Sequence, residues 1–225
     1  MKKHKAAPHG HRLPDQHASH TDFADIAPRT ETGLERIMFF SDAVFAIAIT
    51  LLALEIRLPE QDIAPTALAT ALLTLMPRYF SFLLSFVVIG LFWISHHRAF
   101  EYIRTYNTGM MWINLIFLLL VAFVPFPTAV LGRFPSDLLA VIFYAAVMVG
   151  LSVVRIWFCW YVFYRARLIH PETHPQAGRY ELLRALWTAS MFALSIVVAF
   201  WNTSLAMALW ILLIPVSMLI RPHRK

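Results

Sequence analysis

An acid stands inside an apolar run where a charge is costly. The stretch is Arg36-Ile-Met-Phe-Phe-Ser-Asp-Ala-Val-Phe-Ala-Ile-Ala-Ile-Thr-Leu-Leu-Ala-Leu-Glu55. Its polar members at the start are Arg36, Ser41 and Asp42. Further along, Leu91-Phe-Trp-Ile-Ser-His-His-Arg98 closes a second apolar run, and Asn114 opens a third. A buried carboxylate must be paired and hydrogen-bonded. Arginine, histidine and asparagine supply the donors it needs. Three chemistries fit this set. The groups can lock helices together as one polar network with Asp42 as its anion. Asp42 and His96 can form the proton relay of a transporter. His96, His97 and Asp42 are also the residue types of a metallohydrolase site. Against the last, neighbouring histidines on a helix diverge by about 100°, and no glutamate base lies near them.

These residues need elements to hold them, and the composition says which. Of 225 residues, 59% are apolar and only 14% charged, against about 25% charged in a soluble domain. The chain is therefore an all-α membrane protein. A bilayer core needs about 20 apolar residues per helix. Six segments qualify: 37–57, 77–95, 110–131, 137–162, 184–201 and 204–220. The third ends in a Pro125-Phe-Pro127 kink, and residues 165–183 read as a polar loop. Asp42 lies about 9 Å along the first helix from Arg36. Antiparallel spans then bring Arg36, Ser41, Asp42, His96, His97 and Asn114 to a similar depth.

Orientation follows from the basic residues. The net charge is +6, but the cations flank apolar runs and form no nucleic-acid stripe. All lysines and arginines except Arg57, Arg78, Arg133 and Arg155 fall at the two termini or in the loops after spans two and four. The positive-inside rule places both termini in the cytoplasm. Residues 1–35 form a polar tail with His4, His9, His11, His17 and His20; their spacing defines no metal site, and the tail reads as disordered. The six-helix domain occupies 36–221, and 222–225 is a short basic tail. Arg155, inside span four, is expected to snorkel or to find a carbonyl. Cys159 reads as a buried, inert thiol. No potassium-filter motif, Walker loop or converging set of nucleophile, base and metal ligands is visible, so no enzyme and no cofactor are expected.

The first span carries a second pattern. Ile47, Leu51 and Leu54 recur at i, i+4 and i+7, with Thr50 beside them. Ala43, Ala46, Ala48 and Ala53 permit close helix packing. Periodicity alone leaves packing, lipid contact and a pore lining all open. Glu55 and Glu60 near the outer end would attract cations and Arg57 would oppose them.

The string Arg36-x-x-x-Phe40-Ser41-Asp42, with the helix that follows, resembles the signature of the transmembrane protein 175 family of endosomal and lysosomal potassium channels. The resemblance extends to Leu91–Arg98, Asn114 and Pro125-Phe-Pro127-Thr128. Spans four to six match only as hydrophobic helices. It implies a multi-pass channel of the single-repeat prokaryotic form, a homotetramer in the cell membrane whose first helices line a central pore. The implied constriction is Ile47, Leu51 and Leu54, with the Thr50 hydroxyl adjacent and Glu55 at the outer mouth. The implied packing network is Arg36, Ser41, Asp42, His96, His97 and Asn114, with Trp93 alongside. Potassium would pass transiently, with modest selectivity. The alternative is a proton-coupled secondary transporter using Asp42 and His96.

Overall fold

The computed structural model describes residues 31–58 and 65–212. These form α1 (Glu31–Ala53), α2 (Leu68–Thr74), α3 (Met76–Glu101), α4 (Thr108–Phe123), α5 (Pro125–Arg133), α6 (Leu138–Trp160), α7 (Ala177–Ala199) and α8 (Thr203–Ile211). Five helical stretches among the described residues are long and apolar enough to cross a membrane: Gly33–Ala53, Met76–Glu101, Thr108–Arg133, Leu138–Arg165 and Ala177–Ala199. The expected sixth span, 204–220, begins with α8 and continues outside the described residues. Residues 1–30 of the expected tail, with all five of its histidines, lie outside the described residues, as do Glu60 and the basic C-terminus; residues 31–35, expected to be disordered tail, instead form the first turn of α1.

Local chemistry sets the helix ends. Asn107, Asp137 and Asn202 cap α4, α6 and α8, each side chain accepting from a backbone N–H three residues on, at 2.9, 3.0 and 2.9 Å. Pro77 occupies the first turn of α3, where a missing N–H does no harm. Pro125 and Pro127 have no N–H to give to Val121 and Phe123. The helix breaks there into α4 and α5. Val124 N–H bonds Val121 O at 3.1 Å, so that freed carbonyl regains a donor, and the Thr128 N–H and hydroxyl both reach Val124 O, at 3.2 and 2.9 Å.

The main core joins Phe45 and Leu52 of α1, Val88 of α3 and Phe117 of α4 to Tyr144 and Met148 of α6, with Phe192 and Trp210 behind. A satellite cluster at the other end gathers Phe100, Ile103, Phe158 and Val162. There the loops after α3 and α6 are tied by an antiparallel bridge between Ile103 and Ile169. Helix α7 starts well before the expected 184. Gly178, which reads as loop punctuation, lies inside its first turn, where a Cβ would stand 2.9 Å from Phe163. The residue serves close packing rather than a turn.

Candidate functional site

Helix α1 has two unlike faces. Ser41, Phe45, Ala48 and Leu52 are at most 1% exposed and pack on α3, α4 and α5. The opposite side carries Ala43, Ile47, Thr50 and Leu54, with Leu51 on its flank. Ile47 is 58%, Leu51 39% and Leu54 57% exposed. Of the five membrane-length stretches, α1 is the least covered by the rest of the chain. Thr50 donates to Ile47 O at 2.9 Å, which leaves its oxygen lone pairs open to that face. Glu55 is half-buried and lines a water-sized cavity with Leu52, Arg78 and Thr128, against the bundle. Arg57 donates to Leu54 O at 2.9 Å and accepts, at its own carbonyl, from Arg78 at 2.8 Å.

The single polar network expected around Asp42 resolves into two groups. In the buried one, Asn114 Nδ2 donates to Ser41 Oγ at 3.0 Å, and Ser41 donates to Ile37 O at 2.8 Å. Asn114 Oδ1 lies 2.9 Å from His96 Nε2. That direction of donation puts the His96 proton on Nε2. The His96 ring is 1% exposed and stacks on Phe117 at 5.3 Å and 2°. In the second group, Trp93 Nε1 donates to Asp42 Oδ1 at 2.8 Å, and Asp42 is half-buried.

The reason for the split is angular. Ser41 and Asp42 are one residue apart, so they turn about 100° from each other, one toward α4 and one toward α3. Depth brought the six residues to one level, but azimuth separates them. His97 turns away from His96, packs at a tilt against Trp93 at 5.6 Å and stands 4.0 Å from Glu101, so a glutamate does lie near the histidine pair, one turn further along α3, contrary to the expectation from sequence. Arg36 is exposed and lines a groove with Phe40, Tyr106, Met111 and Leu115. Among the described residues, Arg36 borders Asn114 across that groove and His97 touches Trp93, but neither forms a hydrogen bond with either group, and no three potential ligands meet in a metal-holding cluster.

A family model described as endosomal/lysosomal potassium channel TMEM175 matches residues 36–125. A Streptomyces collinus protein named a potassium channel is 35% identical over 177 residues, covering 77% of this chain and 85% of the relative. The chain belongs to the TMEM175 family. A crystal structure of a lysosomal potassium-selective channel TMEM175 homologue from Chamaesiphon minutus superposes with a TM-score of 0.74 at 30% identity, over 85% of this chain and 100% of that one. Human TMEM175, named an endosomal/lysosomal proton channel, is 32% identical over 138 residues, and the match spans 27% of its length.

A further cluster, which sequence reasoning missed, joins Ser95 and Arg98 of α3 to Arg155, Glu181 and Arg184 beyond the residues matched by the TMEM175 model. Arg155 is 1% exposed. It donates to Ser95 O at 2.6 Å, Ser95 Oγ at 3.0 Å and Glu181 Oε2 at 3.1 Å, and to Cys159 Sγ at 2.8 Å. Arg184 donates to Glu181 Oε1 at 2.5 Å, and Arg98 Nε stands 3.9 Å from the same oxygen. Arg155 therefore finds the expected carbonyl but also a buried carboxylate, and it does not snorkel. A signal was present: Glu172 and Glu181 are the only acids after Asp137, and a buried arginine needs an anion.

Proposed function

We propose that this chain is one subunit of a potassium-permeable cation channel whose pore is walled by the open face of α1. The relatives are channels and not enzymes, and they support potassium as the permeant ion. The reading adds a homotetramer in the cell membrane, with both termini in the cytoplasm. The observation that carries it is the pair of faces on α1. One face is sealed into the bundle. The other presents Ile47, Leu51 and Leu54 with small Ala43 and a hydroxyl between them, a surface suited to close approach of identical helices.

Four such helices would stack three apolar rings over about 10 Å of path. An apolar constriction excludes water and ions when narrow and passes partly dehydrated cations when slightly wider. Potassium holds its water less firmly than sodium, so the rings favour it. Only Thr50 oxygens offer any replacement for lost water, which keeps selectivity modest. Ile47→Asn or Leu51→Asn wets the constriction and raises conductance in planar bilayers. Unchanged currents from both variants would sink the pore assignment. The transporter alternative has less support, because Asp42 and His96 sit in separate hydrogen-bonded groups.

A further inference from the structure

Arg98 is a cation whose carboxylate is already taken. Glu181 Oε2 accepts from Arg155 and Oε1 from Arg184, leaving Arg98 3.9 Å away. The Arg98 Nε is buried and faces Glu181 without a hydrogen bond, while the side chain as a whole stays 31% exposed. An exposed edge of a guanidinium presents paired donors that match a phosphate.

A second observation lies on the same face of α3. Positions 98, 94, 91, 87 and 84 step by four and three residues, so their side chains form one stripe. Ile94 is 44% exposed. Leu91, Val87 and Leu84 then line an almost wholly apolar cavity of about 200 Å³, closed by Trp210 and Ile211 of α8. A Cβ added at neighbouring Gly90 would meet nothing within 4 Å. From Arg98 to Val87 is about 16 Å along the helix, the depth of one leaflet in a core of about 30 Å.

We propose that this stripe is a binding site for a phospholipid of the inner leaflet, its phosphate on Arg98 and one acyl chain in the groove between α3 and α8. Charge complementarity sets the headgroup position, and the leaflet-length apolar track sets the chain. The site lies away from the open face of α1 and does not depend on the pore reading. Basic residues at the cytoplasmic ends of membrane helices hold anionic headgroups in this way.

The test is native mass spectrometry of the purified full-length chain, incubated with dioleoyl phosphatidylglycerol or with inorganic phosphate. Wild type retains one lipid per chain, and inorganic phosphate does not displace it. Arg98→Gln lowers retention about fivefold, the worth of one arginine at a charged membrane surface, and Arg98→Lys recovers most of it. Leu91→Trp fills the groove without touching the Glu181 cluster and also lowers retention, so it tests the site even if Arg98→Gln fails to fold. Retention unchanged in both variants overturns the proposal. So does loss in only one of two well-folded variants, or competition by inorganic phosphate, which would mark a free-anion site. A folded wild type that retains no lipid also overturns it.

Discussion

Asn114 uses both ends of its amide, one on Ser41 and one on His96, and is 2% exposed. Asn114→Leu keeps the volume but strands two buried polar groups. It should cost about 1–3 kcal/mol, read as a lower thermal midpoint in detergent. Trp93→Phe removes the donor to Asp42 at a half-exposed site and should cost about 1 kcal/mol or less. Equal effects from the two would contradict the division into a buried and an open group. Glu181→Gln is a harsher change, because Arg155 then lies buried without its anion. A loss of about 3–5 kcal/mol is expected, while Glu172→Gln, at an exposed pair with His170, leaves the midpoint unchanged. The residue types of the first site were legible, since a buried acid demands donors. Their pairing was not, because depth follows from helix rise whereas azimuth needs the neighbours. Glu181 was hidden for another reason: Pro171, Pro175 and Gly178 made its surroundings resemble a loop.

At the scale of the helix, α1 was the most readable element. Its alternation of Phe45, Ala48 and Leu52 with Ile47, Leu51 and Leu54 separates a packed side from an open one, and periodicity carried that information. What periodicity lacked was which side is packed, since both are apolar. The two faces predict opposite behaviour. Ala48→Leu forces a larger side chain into a sealed contact and should destabilise by about 1–3 kcal/mol. Ala43→Leu, one turn before Ile47 on the open side, should leave the thermal midpoint intact and lower potassium flux into liposomes by narrowing the path. Unaltered flux in Ala43→Leu would mean that this face meets lipid. The break at Val124 was also legible, because two prolines without N–H groups cannot continue a hydrogen-bond ladder. The start of α7 was missed by several residues, since Arg179, Glu181 and Arg184 lower the hydropathy of a turn that is nonetheless helical and partly buried.

For the whole molecule, the apolar composition fixed the class and the motif around Asp42 pointed to the family. The all-helical fold with five membrane-length stretches among the described residues agrees with both. A single chain leaves the open face of α1 uncovered; in the proposed channel, further copies of the chain would cover it. The most direct measurement is the reversal potential of the purified protein in planar bilayers, with potassium on one side and sodium on the other, for wild type and Ile47→Asn. A wild-type current that reverses toward the potassium equilibrium potential, and a larger Ile47→Asn current that reverses nearer zero, is the predicted result. Identical reversal and conductance in the two proteins would contradict an apolar constriction on α1.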